Sequence, residues 1–247
     1  MSLPPAVRSY LLLVRWEFLR RRQLVVMFVL LQVALGVGIV YGFAFLVPQI
    51  TPTVAVFLAT GAMTITLTLL GLVAVPQEVA LARVSGRQGY LDALPVPRLA
   101  PLLSELTFAV LMQLPGAVAT LALAAVRFHL HLQLSPLVLP AAALTALTAA
   151  ALGCAIAVSL PPNATQQVTQ FLSVGLLLFS PVAFPMSRLP AGLQDLHRGL
   201  PVAYMADIMR GTITGHYDTS RLLAFGVVMA WCVAGLATCG RAAARRH

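Results

Sequence analysis

Few residues in this chain have the type and spacing to do chemistry. All 16 basic residues are arginine, and lysine is absent. The phosphate-binding loop G-x-x-x-x-G-K-[ST] uses its lysine to reach the β- and γ-phosphates of a nucleotide, so no such loop can be built here. If ATP drives this protein, another chain binds it. His129 and His131 form an H-x-H pair with no third candidate ligand nearby, too few for a metal site. Cys154, Cys232 and Cys239 have neither metal-ligand nor C-x-x-C spacing and read as small apolar residues. No serine, histidine and acid set and no carboxylate pair has a catalytic setting. The chain itself is therefore expected to hold no catalytic residue, metal or cofactor.

The elements that carry these residues are written for a bilayer. The sequence is 60% hydrophobic and 9% charged, against roughly 25% charged in an ordinary soluble domain. Nothing between Gln23 and Gln77, or between Phe128 and Ser187, is aspartate, glutamate or arginine. A spanning helix needs about 20 mainly apolar residues, so each stretch holds two spans joined by a turn. The whole chain, 1–247, reads as one all-α integral membrane domain with a leader at 1–23 and six transmembrane helices. These are expected at about 24–47, 54–75, 102–126, 136–160, 166–184 and 222–240. The first apolar run is too long for a cleavable signal core. In the leader, Leu12, Trp16 and Leu19 share one side and Arg8, Arg15 and Arg22 others, which suggests a helix at the membrane surface. A simple positive anchor before the first span fits the periodicity equally well.

Arginine placement sets the orientation. In the six-span arrangement one face holds eleven arginines, in the leader, the loop at 76–101 and the tail, and the other holds five. The positive-inside rule then puts both termini in the cytoplasm and the long loop at 185–221 outside. The arginines sit beside apolar spans rather than on a basic, aromatic-rich face, so nucleic acid is not an expected partner. The sequon Asn163-Ala164-Thr165 falls on the inner side and is discounted. Glu105, in the first turn expected for the third span, suits a helix N-terminus near headgroups. Gly38 and Gly42 form a GxxxG step that permits close helix contact.

The inner loop is the most informative segment. Gly86 to Arg98 reads G-R-Q-G-Y-L-D-A-L-P-V-P-R. A short helix ended by Pro95 and Pro97 would put Tyr90, Leu91 and Leu94 on one side and Asp92 away from it. Such a helix suits docking into a groove on a soluble partner, or serves as a plain interfacial connector.

Gly89-Tyr90-Leu91-Asp92-Ala93-Leu94 followed by Pro95-Val96-Pro97-Arg98 resembles the cytoplasmic loop of ABC-2 type transporter permeases, usually G-T-[LI]-E-x-L and then P-[VI]-[ST]-R. A second stretch is similar to the same family: Ser180-Pro181-Val182-Ala183-Phe184-Pro185, Leu189-Pro190, Leu200-Pro201-Val202-Ala203-Tyr204, Asp207 and Arg210-Gly211. Tyr90, Asp92 and Leu200 depart from the usual threonine, glutamate and asparagine. The resemblance, of the daunorubicin-exporter permease type, implies six helices per subunit. It further implies a coupling helix around 86–94 and re-entrant half-helices near the outer face within 185–211. Two such subunits, as a homodimer or with a paralogue, would work with two copies of an ABC ATPase subunit that binds ATP and magnesium.

By the same resemblance the ATPase interface would comprise Glu17, Arg87, Gly89, Tyr90, Leu91, Asp92 and Leu94, and the outer gate Pro181, Phe184, Pro185, Pro190, Pro201, Tyr204 and Arg210. Glu17 has an alternative as an intrahelical partner of Arg20 or Arg21. The expected function is export through the cell membrane of an amphipathic, drug-like or lipid-like compound, which would confer multidrug or lipid efflux and antibiotic resistance. The pathway would be lined by uncharged spans with Thr64, Thr66 and Thr68 among their polar groups, since charged cargo calls for intramembrane charges. A membrane anchor or assembly factor for a soluble partner is the alternative, and an intramembrane enzyme lacks catalytic groups.

Overall fold

The computed structural model describes residues 4–46, 50–93, 95–97, 99–130, 135–179, 182 and 190–244. Every regular element among them is helical: α1 (Pro5–Leu46), α2 (Pro52–Leu69), a π-helical segment (Leu70–Ala74), α3 (Val75–Val84), α4 (Arg87–Asp92), α5 (Ala100–Phe128), α6 (Val138–Ser159), α7 (Pro162–Phe179), α8 (Ala191–Gly199), α9 (Pro201–Thr214) and α10 (Arg221–Ala244). Five stretches are long and apolar enough to cross a membrane: Val25–Gly42, Pro52–Val84, Ala100–Phe128, Val138–Ser159 and Arg221–Ala244. The expected fifth span is not one of these. Its helix, α7, spends its first half on Asn163, Gln166, Gln167 and Gln170, and the end expected at 184 lies outside the described residues.

The leader and the first span are one helix. No glycine or proline stands between Ala6 and Leu35, so nothing interrupts the hydrogen-bond ladder, and α1 runs 42 residues, about 63 Å. Its pairings with α5 advance together: Arg21 meets Glu105, Gln32 meets Met112, and Arg127 lies over the Tyr41 ring. The two helices are parallel from Arg21 onward. Tyr10, however, bonds Thr107 through its hydroxyl at 2.7 Å, and Phe18 packs edge-on to Phe108. Tyr10 and Arg21 lie about 16 Å apart along a straight helix yet reach the same turn of α5, so the leader crosses the start of α5 rather than running beside it.

The second span also outlasts its expected end. Pro76 does not stop it, because the widened π turn lies where the proline ring would strike the carbonyl four residues back. The Val75 amide reaches back five residues to Leu70. Within this turn Gly71 lies on Ala149 and Ala150 of α6, and a Cβ on Gly153 would overlap the Gly71 carbonyl oxygen. Two residues without side chains thus let α6 and the π segment cross closely. By contrast, a Cβ at Gly38 or Gly42 would meet nothing within 4 Å. Among the described residues, nothing in this chain packs on the GxxxG step.

A second parallel pair is α6 with α10. The Thr148 hydroxyl lies 3.5 Å from the Val228 carbonyl, and three residues on in α6 the Cys239 thiol points to Ala151. The chain leaving α6 must therefore return to the opposite side before α10 begins. Among the described residues α7 follows α6 on this path: it packs on α3 and the π segment, while Val182 lies against Gly61 of α2. We call the end of the bundle that carries α3 and α4 the α4 side, and the end that carries α8 and α9 the α9 side.

Candidate functional site: a buried charge cluster beneath a short exposed helix

All three glutamates of the chain, Glu17, Glu78 and Glu105, converge on the α4 side around one guanidinium. Arg21 is 4% exposed and reaches Glu105 through Nη2 at 2.6 and 2.8 Å, Glu17 through Nε at 3.1 Å and Glu78 through Nη2 at 3.4 Å. It also lies over the Phe108 ring, 4.7 Å from its centre. Arg20 holds the other edge of the cluster, 2.6 Å from Glu17, and Arg87 lies 3.9 Å from the Glu78 carboxylate. Burial alone would lower the Arg21 pKa, but Glu105, Glu17 and Glu78 outweigh it and hold the group above its ordinary value. Arg87 goes the other way, pushed down by burial and by neighbouring Arg20. Three carboxylates face three guanidiniums, so the cluster balances its charge, the arrangement that buried ions require.

The elements deliver these groups for local reasons. Glu17, Arg20 and Arg21 are neighbours on one turn of α1. Glu78 sits in the first turn of α3, beyond the π segment, and Glu105 in the second turn of α5. On the same side, Arg83 donates to the carbonyls of Ala157 and Leu160 at 2.6 and 3.0 Å, closing the C-terminal end of α6 where a cation meets the helix dipole. One further turn away α4 begins. Gly86, at φ +71°, takes the left-handed conformation that starts it, Arg87 is its first residue, and the Arg87 guanidinium donates to the Glu78 carbonyl at 3.4 Å. Gly89 and Tyr90 are exposed, Tyr90 by 65%, and Leu91 is half-buried.

The expected interface residues thus divide. Arg87, Gly89, Tyr90, Leu91 and Asp92 do lie on one short helix, and Leu94 lies outside the described residues. Glu17 is turned into the fold, 3% exposed, and its carboxylate is taken by Arg20 and Arg21, the intrahelical alternative. Glu105, expected at a helix N-terminus near headgroups, has both carboxylate oxygens on Arg21. Glu78 carried no site reading in the sequence, although its place two residues after Pro76 is a visible mark.

On the α9 side, the expected gate residues that are described lie on or before α9. Pro190 is exposed ahead of α8, and Pro201 is buried at the first position of α9. The Tyr204 hydroxyl donates to the Arg198 carbonyl at 3.0 Å, and Arg210 pairs with Asp218 at 2.7 Å above the Phe57 ring of α2. Asp207, buried, accepts the amides of Asp218 and Thr219 at 2.7 and 3.0 Å and the Thr219 hydroxyl, fixing the turn into α10. Pro181, Phe184 and Pro185 lie outside the described residues, as does His131. Among the described residues no three of His, Cys, Asp and Glu are grouped to hold a metal ion.

The threonines expected along the pathway are elsewhere. Thr64, Thr66 and Thr68 are at most 1% exposed and bond to carbonyls of their own helix, such as Thr64 to Thr60 at 2.8 Å. Their hydroxyls are spent on α2, the most enclosed span, so they line the packed interior of this subunit.

Apolar helices packed in parallel pairs, with the charged residues gathered towards their two ends, mark a multi-pass integral membrane protein. The family model of the ABC-2 type transporter matches residues 8–214. The chain belongs to that family and is the permease component of an ABC transporter, a non-enzymatic membrane subunit. No curated protein that was compared with it matches.

Proposed function

We propose that this chain forms, with a second permease subunit, the passage of an exporter for an amphipathic drug-like or lipid-like compound, energised by two copies of a separate ATPase subunit. The observation that carries this reading is the junction of α4 with the Arg21 cluster. A short exposed helix, presenting Gly89 and Tyr90, is tied through Arg87 and Glu78 to a charge cluster that also grips α1 and α5. A partner that displaced α4 would pull on three elements at once, which is what a coupling helix must do.

In this reading the membrane is crossed six times, and the parallel packing of α6 and α10 supports α7 as the crossing with a polar first half. Both termini and α4 are cytoplasmic, and α8 and α9 form the half-helices near the outer face, beside which Arg210 and Tyr204 anchor the gate. ATP and magnesium belong to the partner chain.

The test is purification in mild detergent from membranes, followed by ATP hydrolysis in the assembled complex. An ATPase chain should co-purify, and Tyr90→Arg should lower the cargo-stimulated rate by about tenfold, the range of an interface hot spot, with the bundle intact. Full stimulation in the variant would remove α4 from the coupling path. Absence of any ATPase chain would favour the anchor or assembly-factor reading.

A further inference from the structure

The leader turns one row of side chains away from the bundle. Arg8, Leu12, Arg15, Leu19 and Arg22 follow one another at steps of four and three, so they form a single stripe, which Val26 and Leu30 continue along the first span. All are exposed, Leu12 by 54% and Leu19 by 56%. The leucines and arginines expected on different sides of the leader therefore alternate on one. The opposite side carries Tyr10, Glu17 and Arg21, which hold α5 and the charge cluster.

The arginines of this row are unlike the others on the α4 side. Arg20, Arg21 and Arg87 reach carboxylates and Arg83 closes α6, whereas Arg8, Arg15 and Arg22 meet no carboxylate among the described residues. Every glutamate of the chain is already taken by the Arg21 cluster.

The depth of the row is fixed by α5. Its 29 residues rise about 43 Å, the thickness of a bilayer with both headgroup layers. Tyr10 bonds Thr107, about 10 Å from the α4-side end of that span, so the leader lies at the boundary between headgroups and hydrocarbon rather than in the water beyond it. Exposed leucines at that depth meet acyl chains. Arginine side chains beside them are long enough to lift their charge to the phosphate layer. Unpaired cations interleaved with leucines call for an occupant that brings both an anion and a hydrocarbon chain. The acidic surface of a soluble partner would have to enter the bilayer to meet them.

We propose that this row binds anionic phospholipid of the α4-side leaflet, with headgroup phosphates on Arg8, Arg15 and Arg22 and acyl chains over Leu12, Leu19 and Val26. Bound there, the lipid clamps the leader across α5 from outside, opposite the Arg21 cluster that holds it from within. The proposal does not depend on the exporter reading.

The test uses the full chain in phosphatidylcholine bilayers, with Trp231→Phe so that Trp16, one turn from Leu12 and Leu19, is the one tryptophan left. Brominated phosphatidylglycerol and brominated phosphatidylcholine, alike in their chains and different in headgroup charge, are added in turn as short-range quenchers. Both should quench Trp16, and phosphatidylglycerol should be favoured by at least about fivefold in relative association constant, the contribution of one arginine near an anionic surface. Arg8→Gln, Arg15→Gln and Arg22→Gln combined should bring that ratio near one and leave quenching by phosphatidylcholine in place. About 0.5 M salt, which shortens the screening length to a few Å, should lower the ratio with the row unaltered, so the result does not rest on a variant alone.

Equal quenching by the two lipids at low salt would overturn the selection of anionic headgroups. A preference that survives in the triple variant would place the lipid elsewhere and overturn the site. Quenching by neither lipid would take the leader out of the bilayer, overturn the proposal and leave the row to the acidic surface of a soluble partner.

Discussion

Arg21 and Glu105, 84 residues apart, form a two-pronged ion pair at 2.6 and 2.8 Å at the point where the leader of α1 crosses the start of α5. Arg21 is nearly inaccessible, and two further carboxylates share it. Buried pairs of this kind are worth little against a well-packed apolar replacement, yet breaking one leaves a charge stranded.

The first prediction follows from that asymmetry. Arg21→Ala should destabilise the purified chain by about 3–5 kcal/mol, because three carboxylates lose their common partner. The double change Arg21→Met with Glu105→Met should cost clearly less than the sum of the two single changes. Thermal unfolding of the four proteins in one detergent closes the cycle, and strict additivity would dissolve the pair as an energetic unit.

A second prediction separates position from stability. Arg87 holds α4 by a long contact with Glu78 and a bond to its carbonyl, both near the edge of the cluster. Arg87→Ala should shift stability by less than about 1 kcal/mol, as a partly exposed ion pair does. Stimulated ATP hydrolysis in the complex should fall nonetheless, since α4 loses its tie to Glu78. A loss of stability as large as that of Arg21→Ala, with stimulation intact, would reverse the assignment.

The glycines give a third, with its own control. Gly153→Val must push α6 away from the Gly71 carbonyl and should cost about 1–3 kcal/mol through overpacking. Gly38→Ala meets open space and sits inside a helix, where alanine is favoured by about 0.5–1 kcal/mol. Measured in isolated single subunits, the second change should be neutral or stabilising. If it disrupts only the two-subunit assembly, the outward GxxxG step belongs to that contact.

A fourth concerns the α9 side. Asp207→Ala removes the acceptor for two amides and a hydroxyl in the turn before α10. Hydrogen bonds to a charged group contribute about 1.5–3 kcal/mol, so the loss should appear at that scale in unfolding. Hydrogen exchange at the Asp218 and Thr219 amides should accelerate most, and unchanged protection there would mean that the turn is held by other contacts.

Much of the fold was legible because bilayer-spanning helices announce themselves by length and lack of charge. The inner-loop helix was legible from Gly86 and the prolines after it. What was not legible depends on crossing geometry. The second span was expected to end at 75, where the polar segment begins, yet the helix runs on through Pro76 because a π turn can absorb a proline, which no local rule announces. Glu105 and Arg21 are each ordinary at the end of a span, and only the parallel packing of α1 and α5 brings them together. The threonines of α2 failed as pathway residues for a related reason: periodicity assigns a face, but it does not say whether that face looks inward or outward. The continuity of α1 could have been read from the absence of any helix breaker before Gly36.

The parallel partners also set a timetable for biogenesis. A helical hairpin can close as soon as its second arm emerges, but α1 must wait for α5, and α6 for α10. Thr148 and Val228 are 80 residues apart. At about 5–20 residues per second, such a wait lasts several seconds on the ribosome, during which Arg21 has Glu17 but not Glu105. A nascent chain halted before α5 therefore carries an incompletely neutralised arginine beside its first apolar span.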